Sequence, residues 1–138
     1  MRYFKYILVL VLFVFIMASC TTFERQKIEV QKINEEGTYE DFKEITSSKN
    51  VKRVKKILHN ADWEQVKVDM GRPPDYQFIF QFINPSINAK AIPYSVWISP
   101  NNNTLEVVRG DQQYVHLDEK DASILFDVLA ESNLADVK

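Results

Sequence analysis

Few residues in this chain could begin chemistry: one cysteine, two histidines and a spread of carboxylates. His116 stands in a predicted strand with Asp118 two positions on, a spacing that puts both side chains on one side of extended backbone. Such a pair serves acyl transfer only beside a nucleophile. No serine sits in a nucleophile-elbow sequence, and the position of the single cysteine gives it another role. His59 follows an amphipathic stripe near a helix C-terminus, where an imidazolium complements the dipole; it reads as a cap or a solvated side chain. No carboxylate is embedded in an apolar run that would raise its pKa for acid catalysis. Asp69 and Asp75 flank Arg72-Pro73-Pro74, and Asp75 is expected to shape a turn or pair with Arg72. One cysteine excludes a disulfide framework and a Cys-based zinc site. No phosphate-cradling glycine motif or metal spacing is present, so neither cofactor nor metal is expected. A formal charge of −2 gives no electrostatic case for nucleic acid.

Cys20 ends a three-part address. Met1 to Lys5 is short and basic, Tyr6 to Met17 is uncharged, and Ala18-Ser19 is a small-residue exit. The uncharged run from Tyr6 to Ser19 is 14 residues, whereas a helix crossing the hydrocarbon needs about 20. Met17-Ala18-Ser19-Cys20 resembles the lipobox of bacterial lipoproteins, with Met17 where Leu is usual. The resemblance implies a diacylglyceryl group on Cys20, which becomes the mature first residue. Two acyl chains suffice for stable anchoring. The expected location is the cell membrane, with the protein lipid-anchored on the extracytoplasmic side. Cleavage would take away Arg2 and Lys5 and leave 15 basic against 19 acidic side chains, net −4. Attachment must then come from the lipid rather than from attraction to an anionic surface.

The elements that must position any site follow from periodicity. Residues 20–26 read as the lipidated cysteine and a tether, and residues 27–138 as one domain. Residues 27–33 and 38–46 are expected to form an N-terminal hairpin turning at Gly37. Ser47 or Ser48 caps a helix over residues 49–60, whose stripe is Val51, Val54, Ile57, Leu58 and Ala61. Its basic residues Lys52, Arg53, Lys55 and Lys56 read as a solvated face. Strands are expected at 63–70, 76–83, 94–99, 105–109 and 113–117. A final helix runs from Glu119 to about Ala130, capped by Asp118. The fold class is therefore α+β: a mainly antiparallel meander of four to six strands, with two amphipathic helices packed on one face.

WEQVKVDMGRPPDYQFIF and YSVWISPNNNTLEVV, within Trp63 to Leu117, resemble the YhfM-like domain of small lipoproteins from low-GC Gram-positive bacteria. The similarity runs on to the final helix. Its motifs are structural in type, so the resemblance implies location and domain class and no chemistry.

Alternation assigns the strand residues to two faces. Tyr76, Phe78, Phe80 and Phe82 should share one with Val96, Ile98, Leu105, Val107, Val115 and Leu117, the face that takes the helices. The other carries Gln77, Gln81, Trp97, Tyr114 and His116, the residue types of a recognition surface. It reads either as a binding face or as a sheet half-covered by the N-terminal hairpin, with Trp97 lidding a small second core. The functional expectation is a small binding or accessory module meeting an envelope protein or component. The alternatives are a small cell-envelope hydrolase built on His116 with a neighbouring acid, and a solute-binding lipoprotein.

Cys20→Ala is expected to release the protein from membranes or leave an uncleaved precursor. Mass spectrometry of the mature N-terminus checks this, and a chain beginning anywhere but a lipidated Cys20 contradicts it.

Overall fold

The computed structural model describes residues 24–138, together with Arg2, Tyr3 and Tyr6. Cys20 and the rest of the expected signal segment lie outside the described residues. Among the described residues no helix is long and apolar enough to cross a membrane.

The domain is α+β, with one antiparallel seven-stranded sheet and two helices. β1 (Gln26–Ile33) and β2 (Tyr39–Ile45) form the hairpin, and α1 (Ser48–Asn60) follows. β3 (Glu64–Gln65) precedes the meander of β4 (Tyr76–Phe82), β5 (Tyr94–Ile98), β6 (Leu105–Arg109) and β7 (Gln113–Leu117). α2 (Glu119–Ala130) and a short 3-10 turn at Leu134–Asp136 complete the chain. The strand order is β2-β1-β4-β5-β6-β7-β3.

The count exceeds the expected four to six strands because the hairpin extends the sheet instead of lying across it. β1 pairs with β4 over seven residue pairs, from Gln26↔Phe82 to Lys32↔Tyr76. β3 adds a two-residue strand at the opposite edge, pairing Glu64 with Tyr114. The strand expected over 63–70 is confined to those two residues. The chain must leave the β7 edge and reach β4 on the far side of β5, and Gly71, Pro73 and Pro74 help end any extended ladder. Val66 is left exposed as a result.

Both helices begin on side-chain caps. Ser47 Oγ accepts from Asn50 N at 3.4 Å, and Asp118 Oδ1 accepts from Asp121 N at 2.9 Å. Each satisfies one of the amides a helix start leaves without a partner. α1 buries Val51, Val54, Ile57 and Leu58; α2 buries Ala122, Leu125, Phe126, Val128 and Leu129. These pack with Ile28, Val30, Phe78, Val96, Leu105 and Val107 in one core on the expected sheet face. Burying each large apolar side chain stabilises by roughly 1.5–3 kcal/mol, which holds the register. Lys43 ties β2 to the end of α2 through Glu131 at 2.7 Å and the Val128 carbonyl at 3.3 Å. A cation there also meets the negative end of the helix dipole.

The β4–β5 ladder is only three pairs long: Tyr76↔Val96, Gln77↔Ser95 and Phe78↔Tyr94. Beyond Tyr76 the chain is Pro73-Pro74-Asp75, and proline cannot donate to a ladder. Side chains replace it. Asp75 Oδ2 accepts from Ile98 N at 2.8 Å, and Arg72 Nη2 donates to the Ile98 carbonyl at 2.8 Å. Arg72 and Asp75 are themselves paired at 3.0 Å, as the sequence suggested. The same loop covers the second sheet face at Trp97, whose Nε1 donates to the Arg72 carbonyl at 2.9 Å. Trp97 is only 7% exposed, and Val108 on the same face is buried at 8%. The cover over Trp97 is thus the Arg72 loop, not the N-terminal hairpin.

Asp75→Ala removes the acceptor for a backbone amide and is expected to cost about 1–3 kcal/mol in urea unfolding, with Asp75→Asn costing less. Trp97→Ala, which empties the space beneath the loop, is expected to cost about 3–5 kcal/mol, comparable with Phe78→Ala. A Trp97→Ala midpoint equal to wild type would contradict the second core.

Candidate functional site

The five polar and aromatic residues of the second sheet face do not converge. Trp97 is buried beneath the Arg72 loop, and Gln77 lies mid-sheet beside Gln31 and Ser95 in register. His116 is exposed on β7 opposite Glu106. Tyr114 is half-buried and its hydroxyl donates to Glu106 Oε1 at 2.8 Å. Loss of solvent, followed by this hydrogen bond and the charges of Glu106 and Glu64, pushes the Tyr114 phenol up to about 12. His59 is exposed in the last turn of α1. Among the described residues no group of three or more His, Cys, Asp or Glu side chains is arranged to hold a metal ion.

Gln81 alone of the five borders a sizeable cavity, and it lies at the other end of the short β4–β5 ladder. Pairing stops at Phe78↔Tyr94, where Pro93 precedes β5 and donates no amide. β4 runs on to Phe82, so Phe80 and Phe82 have no β5 neighbour. Both were expected in the core and are half-buried instead. The gap is bounded by the end of α1, by Trp63 and by the loop carrying Lys90, Ala91 and Ile92. It is open to solvent and offers about 440 Å³, within the range of about 300–1,000 Å³ typical of small-ligand sites.

The walls are aromatic. Tyr94 is backed by Phe78 of the core, stacked at 4.9 Å between centroids, and Phe80 meets Tyr94 edge-on at 5.8 Å. Trp63 tilts against Tyr94 at 6.3 Å and is fixed by its Nε1 donating to the Leu58 carbonyl at 2.7 Å. The polar lining consists of Lys55, His59, Lys90, Arg109, Gln26 and Gln81, with no aspartate or glutamate. Lys55 lies 5.5 Å above the Phe80 ring and donates to Gln26 Oε1. Burial pushes its ammonium down from the usual lysine range. Arg109 stacks 5.9 Å over Tyr94, and its Nε is buried without a hydrogen-bond partner among the described residues. Burial raises the Tyr94 phenol, partly countered by the Arg109 charge. An aromatic cradle under cations that have no carboxylate partner among the described residues is suited to holding an anionic group attached to something apolar.

The sequence profile of the YhfM protein family matches residues 22–135. The chain belongs to the YhfM family. No curated protein and no solved structure matches it. The family match covers every element that builds the cavity, from Gln26 on β1 to Arg109 on β6.

Lys55, Trp63, Lys90, Tyr94 and Arg109 were not singled out by sequence reasoning as a site. Lys55 was read with the solvated face of α1; in the fold it turns to the sheet end. The available signal was the unequal length of the two aromatic-bearing strands around Pro93, which leaves Phe80 and Phe82 overhanging.

The raised Tyr114 phenol gives a pH dependence with a definite sign. An ordinary tyrosine ionises near 10, so between about pH 10 and 12 the folded chain keeps a proton that the unfolded chain has lost. Stability from this group is full below pH 10 and falls as pH rises through 12. Tyr114→Phe should flatten that part of the stability curve relative to wild type. Paired urea titrations across this interval check it; identical slopes would contradict it.

Proposed function

We propose that the chain is a lipoprotein anchored through Cys20 on the extracytoplasmic side of the cell membrane. In this reading, the YhfM domain acts as a small binding module, and its ligand site is the cavity between α1, Trp63 and the overhanging end of β4. The observation that supports it best is the cavity's lining: aromatic walls with Lys55, Lys90 and Arg109 and no carboxylate. A gap left only by imperfect packing would lose dispersion contacts without offering oriented polar groups. Here Trp63 and Lys55 are held in place by hydrogen bonds to Leu58 and Gln26. The site is therefore preorganised, which lowers the ordering cost of binding. An accessory role, in which the module presents or receives a molecule for an envelope partner, fits the same site.

Native mass spectrometry of the full chain, gently extracted from membranes, tests this reading. Wild type is expected to carry a small-molecule adduct, and Ala91→Trp, which fills the cavity beside the loop, is expected to lack it. An adduct-free wild type, or the same adduct on both, would count against the cavity as the ligand site.

A further inference from the structure

The cavity's charges narrow the class of ligand. Among the described residues no carboxylate lies within ion-pair distance of Lys55, Lys90 or Arg109, although Lys27, Lys43 and Arg72 all have acidic partners. The protein carries more acidic than basic side chains, so the absence of acid at this one site is a local arrangement and not the reflection of a basic chain. Arg109 is the most demanding of the three. Its Nε is buried without a partner among the described residues, so the charge on this guanidinium is poorly compensated from within the fold. A guanidinium is a planar fork that matches carboxylate and phosphate oxygens. Next to it, Tyr94, Phe80 and Trp63 offer apolar area that water fills poorly.

We propose that the cavity takes an amphiphilic organic anion, with a carboxylate or phosphate meeting Arg109 and Lys55 and a flat or apolar body lying against Trp63, Phe80 and Tyr94. This rests on the reading of the cavity as a ligand site and adds the ligand's chemical class. The anion meets the outer end of the Arg109 fork, which lines the cavity, and neutralises the charge that burial penalises on Lys55. The same chemistry is found in a lipid headgroup with its acyl chain and in a free organic acid.

Three probes of graded chemistry test the proposal on the full chain held in phosphatidylcholine nanodiscs, with empty nanodiscs as reference. They are 4-phenylbutyrate, its uncharged counterpart 4-phenylbutanol, and acetate. Isothermal titration is expected to show 4-phenylbutyrate binding about tenfold or more tightly than 4-phenylbutanol, the scale of one charge-assisted contact, with no measurable heat from acetate. Arg109→Gln and Lys55→Gln should each abolish the preference for the anion, while Lys52→Gln, on the exposed face of α1, should keep it. The Lys55 variant gives a reading independent of any effect of Arg109 on β6. Equal binding of acid and alcohol overturns the anion assignment and leaves the cavity a ligand site. No binding of either probe, with no adduct in the native spectrum, overturns both. Mixing phosphatidylglycerol into the nanodisc separates the two sources: competition with 4-phenylbutyrate assigns a lipid headgroup, and unchanged binding assigns a free acid, either result upholding the proposed chemistry.

Discussion

Two proline-containing segments keep the β4–β5 ladder to three residue pairs, and much of the molecule's distinctive structure follows from that limit. At the Pro74 end the backbone can no longer serve Ile98, so Asp75 and Arg72 do so with their side chains. That substitution holds the connecting loop against the sheet, and the held loop covers Trp97. At the Pro93 end no side chain takes over. β4 continues paired with β1 alone, and the missing β5 neighbour leaves room for a cavity between sheet, helix and loop. One short ladder thus produces a closed second face at one end and an open site at the other.

The electrostatics follow the same division. Where strands pair in full, opposite charges meet along and across them: Lys27 reaches Glu29 on its own strand at 3.0 Å and Glu44 on β2 at 2.8 Å. Exposed pairs of this kind add little stability, but they offset the charges along the sheet locally. At the overhanging end, Lys55 and Arg109 rest on aromatic rings in place of acids. A ring face satisfies only part of a cation's demand. The resulting field is local, and it is strongest where burial has already reduced solvent screening.

The fold was largely legible and the site was not, for a common reason. Alternation in YQFIFQF and YSVWI and the stripe from Val51 to Leu58 are local patterns, and each is reproduced in an element of the structure. Ser47 and Asp118 were readable as caps for the same reason. The place of the hairpin in the sheet was not, because joining an edge and covering a face demand similar alternation from residues 27–33. WEQVKVDM carries strand periodicity yet forms only two residues of strand, since the path from β7 to β4 overrides it. The cavity depends on relations between segments distant in sequence. Lys55 and Gln26 are 29 residues apart, and nothing in the spacing of either predicts their meeting.

The position of the cavity also bears on how an anchored domain would present it. Gln26 opens β1 and lines the cavity, and Arg25 just before it donates to Ser48 at the start of α1 at 3.4 Å. The described domain therefore enters the sheet beside the site and not at its far edge. Under the proposed anchoring, five residues lie between Cys20 and Gln26, and a fully extended chain of that length spans only roughly 20 Å. A ligand site tethered that closely stays near the bilayer in whatever direction the domain tilts. Surface attraction cannot provide this, because a body of net negative charge is repelled by anionic lipid. A short covalent tether can, and it would place Lys55 and Arg109 within reach of amphiphilic anions that partition to the membrane interface.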